Sequence, residues 1–287
     1  MPTTARPRLA LPAVACALSV LILAACGGSS SSTRSTTTTK PSTTTSPATK
    51  TSTTVAPQVA VSLYFVRGTV LGVASRLINS SADPRYAALQ ALLSGPTPTE
   101  AAAGLGTWIP VGTTVRGLQV QLGVATVNFS PQFVTPGPPA VLAARLAQVV
   151  YTLTAYPNVE RVVLRVAKLP INSFGGVDTS SPIGRNQLTA ALPGVLLENP
   201  AVGGAVSGSL HISGVTSING TYDIQLVDST GRLLASVTNT AITGATFSQT
   251  IPFKLAYTGT GTIRLFARPS DPSQPVEATQ FTVQVTS

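Results

Sequence analysis

Histidine occurs once, at His211, and cysteine twice, at Cys16 and Cys26, in a chain of 287 residues. A structural zinc site takes about four Cys or His ligands, so no such site can be assembled from these residue types. Both cysteines lie in the first 26 residues, which excludes a disulfide framework for everything downstream. Charged residues are 9% and aromatics 5% of the chain. Against a usual charged share of about 25%, the surface must be solvated by Ser, Thr, Asn and Gln. One long apolar run exists, LALPAVACALSVLILAA at 9–25, with 17 positions. That is short of the about 20 residues a permanent membrane-spanning helix needs.

Lys and Arg number 18 against 9 Asp and Glu, for a net charge of +9. The excess is spread along the chain: Arg6, Arg8, Arg34, Lys40 and Lys50 precede residue 59, and no three basic residues are adjacent. A nucleic-acid reader would concentrate its charge on one face, so no nucleic-acid partner is expected. A modest attraction to anionic lipid or wall polymer is the simpler reading.

Arg6 and Arg8, the apolar run and the small residues that end it have the layout of a secretory signal over residues 1–25. Leu23-Ala24-Ala25-Cys26 resembles the lipobox of bacterial lipoproteins. The resemblance implies that the Cys26 thiol receives a diacylglycerol thioether and that the chain is cut just before it. Cys16 would leave with the leader, and no free thiol would remain. The expected location is the extracytoplasmic face of the cell membrane, with the membrane itself a partner through lipidated Cys26. Residues 29–54 are almost all Ser, Thr, Pro and Lys, with no apolar side chain larger than Ala. Such a stretch buries too little to offset its ordering entropy, so residues 26–58 read as a disordered tether, open to O-glycosylation. The N-x-S/T sequons at Asn79, Asn128 and Asn219 read as chance matches in a bacterial lipoprotein.

From residue 59 the pattern is globular. VAVSLYFV (59–66) and VLGVASRLI (70–78) read as strands. Asp83-Pro84 opens a short helix with Tyr86, Leu89, Leu92 and Leu93 on one face, stopped by Gly95-Pro96. Residues 114–130 read as a hairpin turning near Gly123. Leu142, Leu146, Val149, Val150 and Leu153 mark an amphipathic helix over 138–157, ended by Pro157. A further strand follows at 158–170. Such a mixture predicts a small layered domain over 59–193, with helices packed on one sheet face. LYFVRG (63–68), ALQALLSGPTPTE (88–100), WIPVGTTVRGLQVQLGVATVNFSPQF (108–133) and AQVVYTLTAYPNVERVVLRV (147–166) resemble the GerMN domain of spore-germination and sporulation proteins. The family often carries Asp-Gly at the hairpin and after the late strand. Leu122-Gly123 and Ala167-Lys168 stand there in this chain. The resemblance implies a role in cell-envelope assembly and transfers no catalytic residue.

Residues 194–287 lose helical periodicity and alternate as short strands: AVSGSLHISGV, TYDIQLVD, RLLASVT, ATFSQTIPFKL, GTIRLFARP and TQFTVQVTS. They predict a β-sandwich without a disulfide pin. GAVSGSLHISG (204–214), NGTYDIQLVDSTGRLL (219–234) and the Phe247–Phe253 strand resemble the immunoglobulin-like Gmad2 domain, which implies partner or envelope-polymer binding. The whole is expected to be α+β: a GerMN-like domain over 59–193, then an all-β sandwich over 194–287.

Catalysis finds little to stand on. The region 59–193 has no His, and its acids are Asp83, Glu100, Glu160 and Asp178. A glycan-cleaving enzyme needs two carboxylates facing across a cleft, and Glu100 with Asp178 is the pair available. His211 in SLHISG reads as a solvent-facing or edge histidine; a triad would need Asp223 or Asp228 beside it and a suitably placed serine. FGG at 174–176 is too short for a phosphate loop. No cofactor is expected. The leading expectation is a non-catalytic, membrane-tethered envelope protein that binds or scaffolds envelope proteins or wall polymer. The alternatives are a wall-glycan enzyme with paired acids and the solute receptor of a transporter. Tyr64, Tyr86, Trp108, Tyr151 and Tyr156 are candidates for a binding patch, and most are expected to be at least half buried.

Overall fold

The computed structural model describes residues 57–79, 83–242, 246–254, 256–274 and 276–286. Cys16, Cys26, the leader and nearly all of the tether lie outside the described residues.

Strands β1 (Gln58–Arg67) and β2 (Val70–Asn79) form an antiparallel hairpin through Gly68, whose φ of +63° suits a tight turn. Leu63, Tyr64 and Phe65 are consecutive and all buried, because both faces of this hairpin are covered. Helix α1 (Pro84–Leu93) starts where expected: the Asp83 carboxylate accepts from Arg85 N at 2.9 Å, with Pro84 in the first turn. A second short helix, α2 (Pro98–Ala102), was not expected. Its capping box joins Thr97 N to Glu100 Oε2 at 2.8 Å and Glu100 N to Thr97 Oγ1 at 3.3 Å.

Strands β3 (Val115–Gln121) and β4 (Val124–Phe129) make the hairpin read from the sequence, turning at Leu122-Gly123. Helix α3 (Pro139–Leu153) follows, then β5 (Arg161–Val166), which pairs parallel with β4, and β6 (Leu169–Pro170) on its far side. The helix ends at Leu153, ahead of Pro157, with Thr154 as its cap; Thr154 Oγ1 and N both donate to the Val150 carbonyl, at 2.7 and 2.9 Å. Ten consecutive residues, Ala144–Leu153, are buried. The sequence pattern predicts helices against one sheet; α3 instead touches β1, β2 and β5 and is covered all round from Ala144 to Leu153. Its polar residues are satisfied internally. The Arg145 guanidinium donates to the carbonyls of Trp108, Phe133 and Thr135 at 2.7–2.8 Å.

A small hairpin, β7 (Ser173–Phe174) with β8 (Val177–Asp178), presses Phe174 onto Phe133, and a 3-10 helix spans Arg185–Ala191. The rest is strand: β9 (Val195–Asn199), β10 (Ala205–Ser207), β11 (Ser209–Thr216), β12 (Gly220–Val227), β13 (Leu233–Ile242), β14 (Thr246–Pro252), β15 (Gly259–Pro269) and β16 (Glu277–Thr286). Their order is β13-β12-β15-β16-β10-β11-β14, with β9 added to β11. Gly208, at φ +66°, turns the chain between β10 and β11, so the path passes from one layer of a sandwich to the other. Alternating side chains such as Leu210, Ile212, Ile224, Leu226 and Ile263 fill the core. Burying each stabilises the fold by about 1.5–3 kcal/mol, which serves in place of a disulfide. The architecture is α+β followed by an immunoglobulin-like sandwich, as expected.

The described residues, from Pro57 on, belong to one compact unit. Ser75 N donates to Val202 O at 2.8 Å and Val202 N to Val73 O at 3.1 Å, so the chain after β9 extends the edge of β2.

Candidate functional site

The four-stranded sheet β3-β4-β5-β6 has one face turned to the core and one left open. Ala125, Val127, Phe129, Val162 and Leu164 are buried on the inner face. Side chains at paired positions share a face, and the register sets the open face in three rows. Gly117, Asn128 and Arg165 form one, Gln119, Thr126 and Val163 the next, and Gln121, Val124 and Arg161 the last. Gly117 has no side chain to fill its place, and nothing lies within 4 Å of where a Cβ would stand. A depression of about 310 Å³ results, lined by Gln119, Thr126, Asn128, Arg165 and Lys168 with Gly117 and Leu118. Asn128 Oδ1 accepts from Lys168 N at 2.9 Å and fixes the turn that carries Lys168.

Cations gather on this sheet because those elsewhere in the region are engaged. Arg76 Nε donates to Glu100 Oε1 at 2.7 Å, Arg85 Nε to Asp83 Oδ1 at 2.8 Å and Arg185 Nη1 to Glu198 Oε1 at 2.7 Å. Arg67 and Arg145 donate to carbonyls. Among the described residues, the side chains of Arg116, Arg161, Arg165 and Lys168 meet no carboxylate or carbonyl, and all four are exposed. The Glu160 carboxylate stands at the hairpin end of this sheet, beside Gly123. Dispersed in sequence, these charges are gathered by folding. Parity was the available signal: Arg161 and Arg165 stand four apart on one strand and so share a face.

The acids singled out for chemistry are held by neighbours. Burial pushes Glu100 up, but its hydrogen bonds with Arg76 and the Thr97 N–H outweigh that and hold it below the ordinary carboxylate range. Its side chain is only 6% exposed. Asp178 is exposed and accepts from Ser180 Oγ at 2.6 Å and Ser180 N at 2.9 Å, which lowers its pKa. Each thus has its own separate set of partners. His211 is solvent-facing and pairs with Thr250 of β14, outside the register of β9; Nδ1 lies 3.0 Å from Thr250 Oγ1, and the His211 carbonyl accepts from Asn199 Nδ2 at 2.9 Å. Asp223 accepts from Asn239 N at 2.7 Å. The Thr230 hydroxyl, with Thr230 N, Arg232 N and Arg232 Nε, brings Asp228 down to about 2. Among the described residues no group of three or more His, Cys, Asp and Glu could hold a metal ion.

The aromatic candidates do not form one patch. Tyr64 and Tyr151 are each 2% exposed, with ring centroids 5.4 Å apart. Tyr156 donates to Pro84 O at 2.9 Å, and burial raises its hydroxyl to about 12. Tyr86 and Trp108 are 39% and 40% exposed, and Trp108 Nε1 donates to Gly68 O at 2.6 Å. Two other concavities border the sandwich. One of about 460 Å³ is lined by Arg67, Leu71, Leu265, Glu277 and Phe281 among others, and Glu277 accepts there from Gly194 N at 2.9 Å and Val195 N at 3.3 Å. The other, about 690 Å³, lies beside Arg185, Leu192, Val215 and Thr246.

An α+β region with an open basic sheet face, followed by a β-sandwich, is the class that fold and site define. Residues 62–168 match the family model described as Germane, sporulation and spore germination. The N-terminal folded region is therefore a GerMN-like domain, and the second region is an all-β domain. No curated protein matches the chain. Among solved structures, a Clostridium perfringens protein described as a lipoprotein is 23% identical, over 45% of this chain and 89% of that one, with a TM-score of 0.34. The first GerMN domain of the Bacillus subtilis sporulation protein GerM is 21% identical, over 45% and 98%, with a TM-score of 0.39. Its tandem GerMN domains are 17% identical, over 68% and 62%, with a TM-score of 0.42.

Proposed function

We propose that this protein is a lipid-anchored, non-catalytic component of the cell envelope that binds or scaffolds other envelope components through its GerMN-like domain. In this reading residues 1–25 are a lipoprotein signal, Cys26 carries the lipid, and 26–58 form the tether. Residues 59–193 are the GerMN-like domain and 194–287 a Gmad2-like sandwich. The observation that carries the reading is the asymmetry of the folded unit. The acids named as candidates for chemistry are each held by local hydrogen bonds, whereas one sheet face is left open with unpaired cations. Groups locked into caps and ion pairs serve structure, and an open polar face with free donors serves contact. Unlike folds in the two regions also speak against the paired lobes of a solute receptor.

Membrane fractionation of the full chain, expressed in a bacterium with lipoprotein-processing enzymes, tests the anchoring. Wild-type protein is expected in the membrane fraction and Cys26→Ala in the soluble or secreted fraction. Equal partition of the two would overturn it.

A further inference from the structure

Cations on the open sheet are too far apart to serve one small anion. Arg161 and Arg165 are four residues apart on β5, which at ~3.3 Å per residue puts their Cα atoms ~13 Å apart. Arg165 and Lys168 border the depression beneath Gly117, while Arg161 stands at the other end of the same face. A ligand meeting all three must be extended and must repeat its negative charge. Between them the face offers hydroxyl and amide groups, Gln119, Thr126 and Asn128, which suit a polyhydroxylated backbone. Guanidinium groups bind phosphate oxygens through paired N–H donors, and no carboxylate lines the depression to repel them.

Resting on the envelope role proposed above, we infer that the open face of β3-β4-β5 binds an extended, phosphodiester-linked polyol or glycan of the cell wall, seated in the depression over Gly117 and running along β5 toward Arg161. A bilayer surface fits less well. Membrane contact sets an apolar wedge beside the basic residues, yet the exposed Leu122, in the β3–β4 turn, and Leu169, the first residue of β6, stand at opposite ends of the face. The apolar residues on the face itself, Val124 and Val163, are half-buried.

The test is calorimetric titration of the full chain with delipidated poly(glycerol phosphate), with inorganic phosphate and phosphatidylglycerol vesicles as separate arms. Polymer is expected to bind and to weaken steeply with salt through counterion release, and phosphate and vesicles to bind at least tenfold more weakly. Arg161→Gln, Arg165→Gln and Lys168→Gln combined should lose at least tenfold in polymer affinity and flatten the salt dependence. Arg264→Gln, which removes an unpaired cation from the sandwich, should change neither. Gly117→Leu fills the depression at a strand position with open space and should also cost at least tenfold, without altering net charge. Unchanged circular dichroism and melting would separate these effects from misfolding. Polymer affinity unchanged in the triple variant and in Gly117→Leu, or absent in the wild type, overturns the inference, as does vesicle binding equal to polymer binding. Such a failure would leave the Cys26 fractionation result untouched and so would be distinguishable from failure of the envelope role.

Discussion

Arg185 and Glu198 form an ion pair between the 3-10 helix of the first region and β9 of the second, with Nη1 2.7 Å from Oε1. Other groups complete it. Tyr64 Oη donates to the same Glu198 oxygen, Arg185 Nε donates to Thr154 Oγ1 at 2.8 Å, and the guanidinium lies 4.6 Å from the Tyr151 ring centroid. Burial pushes the Tyr64 hydroxyl well above its ordinary pKa, so it remains a donor throughout the neutral range. Glu198→Ala leaves Arg185 and Tyr64 without their acceptor, and a loss of about 1–3 kcal/mol in urea denaturation is expected. Glu198→Gln keeps an acceptor and should lose less. Equal losses would show that the charge, and not the hydrogen bonds, dominates.

Acid should unfold this protein through its capped and paired carboxylates. Asp228 falls from 3.8 to about 2, chiefly through the Thr230 hydroxyl, and Asp83, Glu100 and Asp223 are also depressed. A carboxylate whose folded pKa lies below its unfolded value adds stability above the unfolded pKa and loses it as pH falls through the folded one. Stability measured by melting is therefore expected to fall between about pH 4 and pH 2. Asp228→Asn should make that limb shallower; an unaltered slope would contradict the assignment.

Leu122 sits in the β3–β4 turn at φ +48° and is fully exposed. A left-handed conformation costs an L-residue with a Cβ about 1–2 kcal/mol, and this side chain recovers none of it by packing. Leu122→Asn or Leu122→Gly should raise stability by about 0.5–1 kcal/mol in thermal melts. A drop would mean that the leucine makes a contact in solution.

Gly175 tests the packing of the β7–β8 hairpin on α3. A Cβ there would stand 2.4 Å from Ala143 N and 2.8 Å from Leu142 C, at a φ of +61°. Backbone cannot give way as a side-chain end can, so Gly175→Ala should destabilise by about 2–4 kcal/mol in chemical denaturation. Gly176→Ala, with open space at φ +80°, should cost only the backbone term, about 1 kcal/mol.

Much of the fold was legible because its signals are local. Asp83-Pro84 marks a helix start through a cap whose donors are two and three residues away, and the six strand runs after residue 204 alternate as half-buried strands do. Pro157 marks the end of α3 only loosely, because a proline forbids helix at its own position and just before it but does not fix where the last turn closes, here at Leu153. α2 was missed because its five residues show no apolar period, though Thr97 and Glu100 had capping-box spacing in plain view. Enclosure of Ala144–Leu153 on every side depends on β1, β2 and β5 arriving from distant parts of the chain. The open basic face was missed for the same reason. Gln119 and Lys168 are far apart in sequence, and they line one depression only once β3 and β5 have both paired with β4.

The central claim is anchoring at the envelope, and mass spectrometry of the N-terminal peptide tests it most directly. The full chain, produced in a bacterium with lipoprotein-processing enzymes, is expected to yield a mature peptide that begins at Cys26 and carries a diacylglyceryl group on that cysteine. An unmodified Cys26 inside an uncleaved leader would contradict the account.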